Sequence, residues 1–175
     1  MFDSVFVLGA QRCGTTYIFD QLSLHKCISP SFTKEVNYFS YNYSNDKSAF
    51  INLFHKHNPS QLYFDSSPSY LFSRNAPKRL HSFFENPCFI VILRNPTARF
   101  ISAHDLVKST QHKYSNTNIL ELFSSEQALY NNPNEFALES DTQLSVTTLG
   151  VGLYYYQLCN WFRYFDKSRF FILDF

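Results

Sequence analysis

Eight residues near the N-terminus, Gly9-Ala10-Gln11-Arg12-Cys13-Gly14-Thr15-Thr16, have the spacing of a loop that wraps a phosphate. They follow the apolar run Val5–Leu8 and lead into a helical pattern. Strand, glycine turn and helix N-terminus in that order aim backbone N–H groups at an anion. The spacing is that of a P-loop, G-x-x-x-x-G-K-[ST], but Thr15 stands where the motif has lysine. The lysine that reaches the terminal phosphates of a nucleoside triphosphate is therefore missing, and the cation sits inside the loop at Arg12. Gly9 and Gly14 permit close approach of the backbone, and Thr15 and Thr16 offer hydroxyls. Gln11 and Cys13 complete the loop. Read alone, the same residues also fit an ordinary glycine-containing turn between a strand and a helix.

A second constellation is Leu93-Arg94-Asn95-Pro96-Thr97-Ala98-Arg99-Phe100-Ile101-Ser102. Arg94 ends the most apolar run of the chain, Phe89–Leu93, and open α/β sheets bind ligands at the carboxyl ends of their strands. Ser102 follows eight residues later, about two helical turns on and on the same face as Ala98. Arg94 and Ser102 together can hold a second anionic group. In isolation Arg94 also fits a turn arginine at the sheet edge.

The elements that must position these residues alternate between apolar runs and helical patterns, which predicts an α/β fold of P-loop type. Its three layers are a central parallel sheet and flanking helices. The expected strands are Val5–Leu8, Leu62–Asp65, Phe89–Leu93 and Phe170–Leu173. The expected helices are Thr15–Leu24, Ser48–Lys56, Ala76–Phe84 with Pro77 in its first turn, Thr97–Lys108 and Ile119–Leu129. Val151, Leu153, Tyr154, Leu158, Trp161, Phe162 and Phe165 recur at helical spacing and predict one long packed helix. The polar stretch Gln111–Ser145 reads as an insertion or substrate-facing region.

The two anion-binding segments together resemble the sulfotransferases that use 3′-phosphoadenosine 5′-phosphosulfate (PAPS). The first is similar to their 5′-phosphosulfate loop, the second to their 3′-phosphate motif. Lys34-Glu35-Val36-Asn37-Tyr38-Phe39 resembles the K-E-x-x-[FY]-F segment of the heparan sulfate branch, where the glutamate is the catalytic base. Phe64-Asp65-Ser66-Ser67-Pro68-Ser69-Tyr70-Leu71 is similar to that branch's [E]-K-[ST]-P-x-Y-[FL] segment. Leu153–Phe165 resembles its late helix, L-Y-x-x-x-[LM]-x-x-W-[LF]-x-x-F.

The resemblance implies in-line transfer of a sulfuryl group from PAPS to a hydroxyl or amine of a carbohydrate-like acceptor, without a metal. Glu35 would take the acceptor proton. Arg12, with Thr15 and Thr16, would stabilise charge on the departing 5′-phosphate. Arg94 and Ser102 would hold the 3′-phosphate, and Tyr154 would pack near the nucleotide. Two positions depart from the family pattern: Arg12 stands where lysine is frequent, and Ser66 replaces a lysine that acts at the reacting centre. Family members also continue past the last strand into a basic loop. The expectation is therefore one domain over residues 1–175 that lacks the C-terminal part of the family domain.

Composition narrows the alternatives. With 175 residues, a net charge of +1 and 45% apolar residues, the chain suits one globular domain and has no global field for nucleic acid. Most of its 20 Phe and 12 Tyr must fill the core. Asp3 and Gly9 interrupt any signal-like N-terminus, and no apolar run approaches the roughly 20 residues of a membrane span. The expectation is a soluble domain, cytoplasmic, with no membrane contact from this segment.

Cys13, Cys27, Cys88 and Cys159 show no zinc spacing and read as reduced thiols, Cys88 and Cys159 as core residues. Asp65 reads as structural, with a second acid as the alternative. Trp161 reads as a core anchor. His104 reads as a helix-surface residue, with a rival base as the alternative. A P-loop kinase would need lysine at position 15 and an acidic Mg²⁺ ligand after a strand. A truncated, non-catalytic nucleotide-binding protein is the other rival.

Overall fold

The computed structural model describes residues 3–54, 61–110, 118–126 and 149–175. Five parallel strands form its sheet: β1 (Ser4–Gly9), β2 (Ile28–Pro30), β3 (Leu62–Ser66), β4 (Pro87–Leu93) and β5 (Phe170–Asp174). They lie in the order β2-β3-β1-β4-β5. The chain steps to one side of β1 for β3 and to the other for β4, so the carboxyl end of β1 is the place where strand order reverses. That is where open α/β sheets carry their ligands. Every residue of β1 is buried, as expected of a central strand covered on both faces.

Register assigns side chains to faces. Phe6 lies beside Asp65 and Phe89, and Val5 beside Phe64 and Cys88. The Val5 face meets α1 (Thr15–Ser23), where Phe19 stacks on Phe64 with centroids 5.4 Å apart. The Phe6 face meets an aromatic cluster of Phe39, Tyr70, Phe84 and Phe89. Trp161 is fully buried against Phe89, and its indole N–H donates to the Leu71 carbonyl at 3.2 Å, which satisfies its polar atom. Helices on both faces of a parallel sheet make the expected three layers.

Most predicted elements are present with shifted ends. Helix α2 (Lys47–Ile51) is capped by Asp46, whose carboxylate accepts from the Ser48 N–H at 2.8 Å. It stops well before Lys56, because Phe54 turns back to bridge Ser31. Helix α3 (Ser69–Phe72), a single turn after Pro68, and the three-residue β2 were not expected. Helices α4 (Ala76–Phe83) and α5 (Pro96–Thr110) follow the prediction closely. Helix α6 (Ile119–Glu126) opens within the expected 119–129 span. The remainder of that span from residue 127, and most of 111–145, lie outside the described residues.

The long helix predicted from Val151 to Phe165 is a correction. The first part, Leu149–Gly152, is a 3₁₀ turn, and α7 runs only from Tyr154 to Trp161. The aromatic residues after Trp161 pack from a turn that leads into β5: Phe165 lies 4.7 Å from Phe89, and Phe162 lies 5.0 Å from Phe170.

All four cysteines are free. Cys88 is a core residue, but Cys159 is exposed. Helix α7 buries Gln157, Asn160 and Trp161, which leaves Cys159 on the outer face with Tyr155. His104 is likewise not a surface residue. Helix α5 buries Arg99, Phe100, Ala103, His104 and Val107 along one stripe, and His104 belongs to it. No helix among the described residues is long and apolar enough to cross a membrane.

Candidate active site

The loop after β1 turns through left-handed backbone at Arg12 (φ 65°) and Gly14 (φ 73°) before α1 begins. At Gly14 a Cβ would come within 3.0 Å of the Phe175 ring, so both conformation and space favour glycine there. No side chain caps α1, and no acidic residue stands in its first turn. The orphan amides of that turn are thus left for an anion, with the favourable end of the helix dipole behind them.

Gln11, Arg12, Gly14, Thr15 and Thr16 line a cleft of about 390 Å³ together with Lys34, Glu35, Pro68, Arg94, Ser102, Leu106 and Phe175. Of the residues singled out from the sequence, eight therefore meet in one place: Gln11, Arg12, Gly14, Thr15, Thr16, Glu35, Arg94 and Ser102. The two constellations are also joined directly. Arg12 Nε donates to Ser102 Oγ at 3.1 Å, and Arg94 Nη1 donates to the Arg12 carbonyl at 3.0 Å. The Arg94 guanidinium also lies over the Phe175 ring, 5.0 Å from its centroid. Arg12 thus touches the serine of the second constellation, so the two segments share a hydrogen bond. A second hollow continues from this one along α5, lined by Arg12, Arg94, Ala98 and Ser102.

Cys13 and Tyr154 lie behind the loop and do not line the cleft. Cys13 is fully buried, its thiol facing the Gln11 carbonyl at 3.5 Å. Burial pushes the Cys13 thiol up, against the opposing pull of the adjacent Tyr154 hydroxyl and of Arg99. The Tyr154 phenol is raised for the same first reason, burial, with Cys13 adding to it. Both groups stay neutral under ordinary conditions and support the loop by packing.

Glu35 reaches the cleft from a loop between β2 and α2. Its side chain is about half exposed (49%) and pairs with the Lys34 ammonium. The Glu35 N–H donates to the Ser66 carbonyl at 3.1 Å, which ties this loop to the end of β3. Lys34, which begins the K-E-x-x-[FY]-F segment and was not singled out from the sequence, also lines the cleft. Ser66 itself is fully buried. Its hydroxyl faces the Thr15 carbonyl at 3.5 Å on the α1 side of the sheet. The side-chain cations lining this cleft are therefore Arg12, Lys34 and Arg94.

Asp65 is structural, as expected: it is inaccessible to solvent and accepts from the Tyr70 and Ser67 hydroxyls. Burial raises its carboxyl to about 6 against the lowering effect of those bonds. His104, buried on the other side of α5 from Ser102, does not line the cleft. Among the described residues no three His, Cys, Asp or Glu side chains converge as metal ligands.

Comparison with known proteins places the chain in a family. The chain is 24% identical over 169 residues to heparan sulfate glucosamine 3-O-sulfotransferase 6 of Homo sapiens, covering 97% of this chain and 45% of that protein. It is 22% identical over 173 residues to heparan sulfate glucosamine 3-O-sulfotransferase 5 of Mus musculus, covering 96% and 46% respectively. The chain thus spans about half the length of the curated relatives it matches. A crystal structure of a sulfotransferase from Alicyclobacillus acidocaldarius shares the fold, with a TM-score of 0.77 at 20% identity over 99% of this chain and 73% of that one. The profile of the sulfotransferase domain matches residues 2–175, and the chain belongs to the sulfotransferase domain family.

Proposed function

We propose that this chain transfers a sulfuryl group from PAPS to a hydroxyl or amine of a carbohydrate acceptor, with Glu35 as the base. The observation that carries the reading is the single cleft into which the α1 N-terminus, Arg12, Arg94, Ser102 and Glu35 all open. The donor set, three cationic side chains with the Thr15, Thr16 and Ser102 hydroxyls, suits a ligand with anions at both ends. PAPS, when bound, would supply the sulfuryl group: its S–O bond to the 5′-phosphate would break as the acceptor's O–S or N–S bond forms, and adenosine 3′,5′-bisphosphate would leave.

The residues divide the work. The α1 amides, Thr15 and Thr16 hold the 5′ end, and Arg12 stabilises the negative charge that grows there as the bond breaks. Arg94 and Ser102 hold the 3′-phosphate and so select this donor over ATP. Glu35 accepts the proton of the attacking hydroxyl or amine, a role that needs only hydrogen-bond reach to that atom. Lys34 pairs with the Glu35 carboxylate and places a cation at the same end of the cleft. The heparan sulfate named for the curated relatives supports a polysaccharide acceptor.

One observation favours a second reading, a non-catalytic nucleotide binder: Ser66 is buried where the resembled branch places an active lysine. Calorimetric titration separates both readings from a kinase. Adenosine 3′,5′-bisphosphate is expected to bind at least about tenfold more tightly than ADP, a difference of about 1.4 kcal/mol, with no change when Mg²⁺ is chelated. Equal affinities, or ATP binding that depends on Mg²⁺, would overturn the assignment of donor.

A further inference from the structure

The loop that carries Glu35 is neither helix nor strand, and it holds left-handed backbone at Glu35 (φ 65°) and Asn37 (φ 52°). Non-glycine residues keep such conformations only where their surroundings over-determine them. The bonds that do so here lead to one buried carboxylate outside the cleft. Both oxygens of Asp65 accept from the Ser67 hydroxyl, at 3.1 and 3.0 Å, and Oδ2 also accepts from the Tyr70 hydroxyl at 2.6 Å. A hydroxyl has one proton to give, so both are committed to Asp65 and present only lone pairs elsewhere. Those lone pairs receive the loop: the Asn37 N–H donates to Ser67 Oγ at 3.0 Å, and the Phe39 N–H donates to Tyr70 Oη at 3.4 Å.

Further ties act in the same sense. Ser69 Oγ donates to Asn37 Oδ1 at 2.6 Å, and Asn37 Nδ2 donates to the Glu35 carbonyl at 2.8 Å. The Phe39 ring is buried among Phe6, Phe50 and Phe83. The stretch 35–39 is thereby hung on residues 65–70, with the direction of two key hydroxyls set by Asp65.

We propose that Asp65 is a positioning residue: through the Ser67 and Tyr70 hydroxyls it fixes the loop that holds Glu35 over the cleft, although it touches no part of the cleft itself. The catalytic half of this proposal rests on the reading of Glu35 as the base. The anchoring half does not.

Amide hydrogen exchange on the full chain tests the anchoring. Asp65→Asn places an amide donor against one of the two hydroxyls and turns it round. Protection at Asn37 or Phe39 is then expected to fall by about tenfold or more, with the β1 and β4 amides unchanged. Ser67→Ala should lower protection at Asn37 alone, Tyr70→Phe at Phe39 alone, and Ser67→Thr should restore it. These milder variants keep the test alive if Asp65→Asn fails to fold.

Transfer from ³⁵S-labelled PAPS to heparan sulfate chains tests the catalytic half. Ser67→Ala is expected to lower kcat by about tenfold, with KM for PAPS within about twofold, and to cost nothing further when added to Glu35→Gln. Unchanged protection at both amides overturns the anchoring. An equal loss in the Glu35→Gln background overturns the link from Asp65 to catalysis. A Glu35→Gln protein as fast as the wild type instead overturns the base assignment, while the exchange data still decide the anchoring.

Discussion

Glu35→Gln is expected to lower kcat by about 10²–10⁴-fold while leaving the affinity for adenosine 3′,5′-bisphosphate within about twofold. The substitution keeps shape and removes only the capacity to take a proton. The ties of this residue to the protein run mainly through its backbone, from its N–H to the Ser66 carbonyl and from Asn37 Nδ2 to its own carbonyl, and glutamine retains both. The side chain is half exposed and pairs with Lys34, so losing its charge removes no buried interaction. Single-turnover rates and calorimetric affinities on the same preparation make the comparison. If rate and affinity fall together, Glu35 holds the donor and the base lies elsewhere.

The second large effect concerns the choice of donor. Arg94→Ala is expected to weaken adenosine 3′,5′-bisphosphate binding by about 10- to 100-fold, the range of one charge-assisted hydrogen bond. ADP, which lacks the 3′-phosphate, should lose little, so the ratio of the two affinities should approach one. Arg94 also supports the loop by donating to the Arg12 carbonyl, and a melting curve controls for that contribution. Ser102→Ala tests the site apart from Arg94's support of the loop, because it removes a cleft hydroxyl and its bond from Arg12 Nε but leaves the bond from Arg94 to Arg12 in place. It should lower the affinity for the bisphosphate less than Arg94→Ala and in the same direction. An equal loss of both nucleotides in Arg94→Ala would make the arginine a loop support only.

Much of this architecture was legible from apolar runs and their spacing. Val5–Leu8 is buried on both faces and Phe89–Leu93 is buried except for the half-buried Ile90 and Leu93, so each reads as a continuous apolar run. Strand β2 escaped because it is only three residues, Ile28-Ser29-Pro30, whose pairing with β3 is a long-range event that leaves no local pattern. The aromatic series at 151–165 reads as one helix because a 3₁₀ turn, an α-helix and a following turn all present rings to the same core. His104 and Cys159 were misplaced for a related reason: neither residue type reports which stripe of its helix faces inward.

The site divides in the same way. The glycine loop after β1 and the Arg94 segment are local, because each lies at a strand end and declares itself by glycine, proline and charge. Their junction through Arg12 and Ser102, ninety residues apart, is tertiary. The place of Glu35 depends on hydrogen bonds to residues thirty positions away, at Ser66 and Ser67, that no spacing predicts. Only the likeness of its flanking residues to a family segment pointed to it. Lys34 belongs to the same segment, and an adjacent lysine and glutamate carry no spacing that separates a solvated pair from a cleft residue, yet Lys34 lines the cleft.

Incubation with ³⁵S-labelled PAPS and a panel of hydroxyl- and amine-bearing saccharides, heparan sulfate chains among them, tests the central claim most directly. Labelled saccharide should accumulate in equal amount to adenosine 3′,5′-bisphosphate, with or without a metal chelator, and Glu35→Gln should suppress both. Tight binding of PAPS with no label on any saccharide would contradict it and leave a nucleotide-binding protein in the place of an enzyme.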